Sequence, residues 1–262
     1  MKRVLKTVFK IVSFIPVLYL VVIPVYLANY SNAKLCGGIE INIIDSSDYH
    51  FVTKRQLLNI VNGGEGKILG RPVKEVKVTE IEERINVLRE IKRAEVYITI
   101  DGTMHVYIDQ REPVMRVMPA NGGDYFIDRE GIVVRKRNLY TPRLHIIEGN
   151  IDISPAMLNG VSILDTSIKN SILKDIYQIV NYINDDSFWS AQIDQIYVDN
   201  NSEIDLIPRV GNQLVHLGSA ENFVGKLRNL AVFYDKVLPE VGWNKYSVIN
   251  LEFKDQIVCK RR

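Results

Sequence analysis

Apolar and polar positions follow three regimes along this chain. Residues 11–28 read IVSFIPVLYLVVIPVYLA, eighteen residues with no charge and Ser13 as the conventional polar side chain. At 1.5 Å per residue that run makes a helix of about 27 Å, close to the roughly 30 Å hydrocarbon core of a bilayer. It predicts one transmembrane helix. Pro16 and Pro24 each delete a backbone hydrogen bond, a loss that membrane helices absorb by local adjustment, while Tyr26 and Tyr30 suit the interfacial belt.

The second regime begins at Ile39. Ile39, Ile41 and Ile43 alternate with Glu40 and Asn42, the period of a half-buried strand. A helix is expected over 50–62, where Thr53 and Gln56 form a capping box and Val52 can staple to Leu57. A second capping box, Thr79 with Glu82, opens a helix whose apolar stripe is Ile81, Ile85 and Leu88. The Gly-rich stretch NGGEGKILGRP joins the two helices. Val96, Ile98 and Ile100 then alternate with Glu95, Tyr97 and Thr99, and Met104, Val106 and Ile108 with His105, Tyr107 and Asp109. Asp101-Gly102 between these runs predicts a hairpin with a two-residue turn. The order is strand, helix, helix, strand, strand, and Pro113 stops the ladder or marks its edge.

The third regime is a larger α+β unit. It holds a hairpin over 125–134, with Gly131 supplying the positive φ of a bulged turn, and a short strand at 143–147. A helix over 167–183 has Ile168, Ile172, Ile176, Ile179 and Ile183 in register, and strands follow at 193–199, 202–207 and 213–217. Ser219 opens a helix to about residue 238 that buries Phe223, Leu227, Leu230 and Tyr234. Residues 246–253 alternate again, offering Val248, Leu251 and Phe253 for burial. The expected division is a tail at 1–10, a membrane span at 11–28, a linker at 29–38, and domains at 39–112 and 113–262.

Composition narrows the class. With 262 residues, 47% hydrophobic, 24% charged and two cysteines, the chain is no collagen, coiled-coil rod, disordered tract or disulfide-dense mini-fold. The formal charge is +2 overall, of which +4 lies in the first ten residues and +3 in the last three, leaving −5 between. Lys2, Arg3, Lys6 and Lys10 precede the apolar run and no comparable cluster follows it, so the tail stays cytoplasmic and the rest is exported. A cleaved signal peptide fits less well, because the run is long and NYSNAK is a poor cleavage site; Leu35 and Lys34 likewise disfavour lipoprotein processing at Cys36. An acidic body without a basic stripe argues against nucleic acid. Cys36 and Cys259 pair only if the fold joins the ends of the exported part; otherwise they are small apolar residues.

Candidate chemistry is sparse. Counting from Gly66-Lys67, a phosphate-binding loop needs Gly where Val61 stands and a hydroxyl where Ile68 stands. His50, His105, His145 and His216 lie far apart, and neither H-E-x-x-H, C-x-x-C nor G-x-S-x-G occurs. Asp128 and Glu130 flank Arg129 at a hairpin tip and Asp185-Asp186 ends a helix, places where turn formation explains the carboxylates. No catalytic, metal or cofactor residue is assigned. The profile is that of an anchored binding or scaffolding protein, not an enzyme.

Four segments carry a family likeness: R-E-P-V at 111–114, Y-F-I-D-R-E-G at 125–131, V-H-L-G at 215–218 and Y-S-V-I-N-L-E-F at 246–253. With the anchor and the βααββ order they make the chain resemble the bacterial cell-division family FtsQ/DivIB. The resemblance implies one transmembrane helix, a POTRA (βααββ) domain, and a C-terminal mixed "β domain" with an antiparallel-rich sheet. It also implies a non-enzymatic divisome scaffold in the cytoplasmic (inner) membrane at the division site. Its partners would be FtsB and FtsL, or DivIC and FtsL in other lineages, which regulate septal peptidoglycan synthases. By the same resemblance, the partner adds a strand at the end of the β domain, onto Asn250, Leu251, Glu252, Phe253, Lys254, Gln256, Ile257 and Val258. Phe253 would be the aromatic anchor, with Glu252 or Lys254 fixing register by charge; read singly, Phe253 serves equally as core and Lys254 as a solvated charge. Any long C-terminal tail of relatives is absent within ten residues of Phe253. Two other readings are a POTRA-bearing transport or outer-membrane assembly factor, which predicts tandem repeats or a barrel segment, and an envelope enzyme with an unrecognised site.

Overall fold

The computed structural model describes residues 16, 18–24, 34–44, 51–63, 66–137, 142–169, 171–254 and 256–262. Lys2, Arg3, Lys6, Lys10, His50 and most of the expected span at 11–28 lie outside the described residues. Residues 16 and 18–24 are helical, and no helix among the described residues is long and apolar enough to cross a membrane. Two compact units follow, one ending at Gln110 and the other running from Arg111 to Arg262.

The first unit contains β1 (Gly38–Ile43), α1 (Lys54–Asn62), α2 (Val78–Asn86), β2 (Ile91–Ile98) and β3 (Thr103–Gln110). Its sheet runs β1-β3-β2, with β1 parallel and β2 antiparallel to the central strand. The capping box on α1 forms in both directions: the Gln56 amide donates to Thr53 Oγ1 at 3.3 Å and the Thr53 amide donates to Gln56 Oε1 at 2.9 Å. Val52 and Leu57 are both buried in one core with Ile81, Ile85, Met104, Val106 and Ile108.

Two local expectations for this unit are corrected. Helix α2 starts at Val78 and has no side-chain cap, so Thr79 sits inside it. Glu82 does not reach back to the helix start; its Oε2 accepts the Val96 amide of β2 at 3.2 Å and ties the helix to the sheet. The hairpin loop is three residues, not two: the Thr99 amide donates to the Thr103 carbonyl at 2.9 Å, and Gly102 takes a φ of +92°. Ile100, read as an inward strand position, is therefore at the loop tip and 95% exposed.

The second unit holds β4 (Pro113–Pro119), β5 (Tyr125–Asp128), β6 (Val133–Arg135), β7 (His145–Gly149), α3 (Pro155–Leu158), α4 (Ile172–Asp185), α5 (Ser187–Gln192), β8 (Ile193–Val198), β9 (Ile204–Pro208) and β10 (Leu214–Gly218). It ends with α6 (Phe223–Lys236), α7 (Leu238–Val241), β11 (Tyr246–Asn250) and β12 (Val258–Arg261). Among the described residues one sheet runs β12-β11-β10-β9-β8-β7-β4-β5-β6, parallel at β4/β7, β7/β8 and β10/β11 and antiparallel at the other pairings. The fold is mixed α+β. Leu173, Ile176, Ile179, Val180 and Ile183 of α4 and Leu227 and Leu230 of α6 share a core with the inward residues of the strands.

Several boundaries differ from the sequence pattern, each for a local reason. Helix α4 starts at Ile172 with Ser171 capping the Leu173 amide at 3.3 Å, and Asp165 holds residues before it in a turn by accepting the Ser167 amide at 2.7 Å. Helix α6 starts at Phe223, after Asn222 in the left-handed region (φ +50°), so Ser219 caps nothing. The strand expected over 246–253 stops at Asn250, whose Oδ1 accepts the Glu252 amide at 2.8 Å and turns the chain. Leu251 is still buried, but Phe253 is 46% exposed and is not core. Strand β4, helices α3 and α5, and β12 are additions to the expected elements.

The first two family-like segments face each other across β4 and β5. Asp128, 3% exposed, accepts Arg111 Nη1 at 2.7 Å through Oδ2 and the amides of Glu130 and Ile132 at 2.9 and 2.7 Å through Oδ1. Arg129 Nε pairs with Glu112 Oε2 at 2.6 Å, and the Arg129 amide donates to the Glu112 carbonyl at 3.1 Å. These carboxylates build a turn and its clamp, as the hairpin reading has it.

Gly149 gives the sharpest test of packing at a strand end. Its φ is +107°, and a Cβ there would meet the Val198 carbonyl oxygen at 2.0 Å. Gly149→Ala is expected to cost about 2 kcal/mol or more through backbone strain and the clash with β8. A denaturant midpoint followed by tryptophan fluorescence checks this, and an unchanged midpoint would refute it.

Candidate functional site

Strand β12 is the last strand of the long sheet, and no other strand pairs with its outer side among the described residues. It is held by β11 alone, in the antiparallel register Tyr246↔Arg261, Val248↔Lys260, Ile249↔Cys259 and Asn250↔Val258. Strand β11 is in turn placed by β10, with Leu214↔Val248, Val215↔Ile249 and His216↔Asn250 in parallel. The Leu251 amide extends that ladder by donating to the His216 carbonyl at 2.8 Å.

The eight residues expected to receive a partner do not form one strand. Asn250 closes β11, 251–254 and 256–257 belong to the connection, and Val258 opens β12. Leu251 is buried, Ile257 is half-buried against the core, and Glu252, Phe253, Lys254, Gln256 and Val258 are exposed. What brings most of them together is a groove of about 590 Å³ between this connection and the start of α6. One wall is Leu251, Glu252, Phe253, Lys254, Gln256 and Ile257. The facing wall includes Glu221, Lys226, Arg228 and Asn229. Gln256 and Ile257 also border a second depression of about 360 Å³ against Val232, Phe233 and Lys236, where Val232 is 57% exposed.

Lys226 sets the wall of the groove. Its ammonium donates to the carbonyls of Leu217 at 2.9 Å and Ser219 at 2.8 Å, pinning the first turns of α6 to the end of β10. Burial of the ammonium pulls its pKa below the ordinary lysine value, with Glu252 and Glu221 acting in the opposite sense. On β10, His216 Nδ1 is bonded to Asp205 Oδ1 at 2.7 Å, while Glu203 and Glu252 stand 3.7 and 4.0 Å from Nε2. Strand β12 itself is basic, with Lys260, Arg261 and then Arg262.

The remaining candidates settle into structural roles. Both cysteines are free; Cys36 is buried, and burial pushes the half-buried Cys259 thiol above its ordinary value. Burial likewise pulls the pKa of His145 down, which makes it a packed neutral imidazole at neutral pH. Among the described residues no group of three or more His, Cys, Asp and Glu side chains is placed to hold a metal ion. The sequence reading missed β12 and the α6 wall. The residues V-C-K-R have no usable alternation over four positions, although the three closing cations could have marked an exposed element.

Compared with known families, residues 112–260 match the model described as FtsQ/DivIB, C-terminal related, and residues 34–109 match that of the POTRA-like domain. No curated protein matches the chain.

Lys226→Met keeps the aliphatic stem but removes both bonds from the ammonium to the Leu217 and Ser219 carbonyls at the end of β10. The expected cost is about 1 kcal/mol, allowing for the solvent that reaches this side chain. Chemical unfolding followed by circular dichroism measures it, and no loss of stability would show that the wall does not depend on this pin.

Proposed function

The chain belongs to the FtsQ/DivIB family, whose C-terminal related model matches more than half of it, and on that premise we propose that it is a single-pass membrane scaffold of the bacterial divisome. The family is one of non-enzymatic division proteins, and a cell-division role follows from membership. Beyond that, the proposed partners are FtsB-like or DivIC-like and FtsL-like single-pass proteins, recruited by strand addition to link division assembly with septal peptidoglycan synthesis. The proposed layout is a cytoplasmic tail, a membrane span, a linker, a membrane-proximal POTRA-like domain and the C-terminal β domain, with the bulk of the chain outside the cytoplasmic membrane at the division site.

The observation that carries this reading is that, among the described residues, no strand pairs with the outer side of β12 beside the groove. An edge strand offers main-chain donors and acceptors to an incoming strand, each net bond being worth about 1 kcal/mol. Specificity then falls to side chains that reach the groove. Phe253 is the proposed anchor, since a large aromatic ring nearly half exposed at a groove rim gains most from being covered. Lys260 and Arg261 favour a partner strand that carries carboxylates.

The anchor has its own support. Leu18, Tyr19, Leu20, Val21 and Val22 are consecutive helical residues, each more than half exposed. Five large, mostly exposed side chains in a row are suited to lipid, and Lys2, Arg3, Lys6 and Lys10 earlier in the sequence favour a cytoplasmic N-terminus.

Phe253→Asp tests the site. The expected result is loss of co-purification of the FtsB-like or DivIC-like partner, a drop of at least about tenfold in recovery, with an unchanged circular dichroism spectrum because the ring is not core. Full recovery of the partner by the folded variant would remove Phe253 from the site.

A further inference from the structure

The sheet of the first unit has one face against α1 and α2 and one face open. Inward positions Ile41, Ala94, Val96, Met104, Val106 and Ile108 are buried, so their neighbours along each strand stand on the other side. Register places these outward residues in rows: Glu40, His105 and Tyr97 form one, and Asn42, Tyr107 and Glu95 the next. Asp109 and Arg93 follow on β3 and β2.

The centre of this face is aromatic. Tyr97, His105 and Tyr107 lie with planes 12–22° apart and centroids 5.3, 5.8 and 6.4 Å from one another. The three rings stack on one another side by side, so the aromatic surface exists before any ligand arrives. Tyr97 remains 44% exposed. Around the rings stand Glu40 and Glu95, with Asp109 at one end and Asp101 at the other; Asp101 is fixed by the hydroxyls of Thr99 and Thr103. Four carboxylates share this face and its loop with Arg93, which pairs with Glu95, with the exposed Lys92 next to it on β2, and with Lys34, whose ammonium donates to the Ile100 carbonyl of the loop. Glu40 lies 3.3 Å from His105 Nδ1 and keeps a side chain 63% exposed.

We propose that this open face docks an extended polypeptide segment bearing arginine or lysine side chains, which stack on Tyr97 and pair with Glu40 and Asp109. A cation over a tyrosine face is attracted by the ring, and the gain is larger where carboxylates lie alongside. Pre-ordered rings lower the entropy lost on binding. Glu40 and Asp109, the carboxylates of this face that Arg93 does not engage through Glu95, give the segment its sign. This face is separate from β12 and its groove, so the assignment does not rest on strand addition.

The test uses the full-length protein in phosphatidylcholine nanodiscs at low salt. The probe is a fluorescein-labelled octapeptide of alternating arginine and serine, read by anisotropy, with a glutamate-for-arginine peptide and chitotetraose as the other arms. Saturable binding of the arginine peptide is expected, weakened about tenfold by Tyr97→Ala combined with Glu40→Gln and unchanged by Phe253→Asp. Glu40→Gln alone, a near-isosteric change at an exposed site, is expected to weaken it about threefold and stands in if the double variant loses its thermal transition. Equal binding to wild type and variants overturns the proposal, as does no binding of the arginine peptide or binding of chitotetraose in its place.

Discussion

The parallel pairing of β10 with β11 is the contact on which the C-terminal surface depends. A parallel neighbour cannot be reached by a tight turn, so the chain leaves β10, runs through α6 and α7, and returns beside it. That excursion does two things at once. It buries Leu227, Leu230 and Ile249 in the common core, and it stands the first turns of α6 opposite the connection that follows β11. The groove is the gap left between them. Strand β12 is antiparallel and short, and its register is meaningful only because Ile249 is already fixed from the other side.

The same logic explains what the family-like segments do in the fold. Arg111 and Glu112 meet Asp128 and Arg129 across β4 and β5 as a crossed set of ion pairs, with Asp128 also holding the turn amides. V-H-L-G and Y-S-V-I-N-L-E-F meet as β10 and β11. Each segment is half of a pairing surface. Removing one partner of the buried Arg111–Asp128 pair leaves a charge without compensation, which costs more than the pair itself contributes.

Elements whose apolar period is sustained over several residues were legible in the sequence, while β12, four residues without alternation, was not. The alternation of Met104, Val106 and Ile108 reads directly as β3, and Ile176, Ile179 and Ile183 read as the buried face of α4. Thr53 and Gln56 announced α1 because both halves of the box lie within four residues. Thr79 and Glu82 carry the same signal, yet a tertiary bond from Val96 takes the carboxylate, a competition no local pattern records. Phe253 alternates with Leu251 as if inward, but Asn250 turns the chain and puts the ring outside. The candidate site was legible as a stretch of residues and illegible as a groove, because its second wall comes from α6, some twenty-five residues earlier.

The proposal turns on the outer side of β12 acting as the acceptor for a partner strand. Amide hydrogen exchange across residues 258–261, measured with and without a purified FtsB-like or DivIC-like protein, the proposed partner, tests this. Strand addition predicts marked slowing of alternate β12 amides on binding, while those already paired to β11 change little. Binding of the partner with unaltered exchange throughout β12 would contradict the claim.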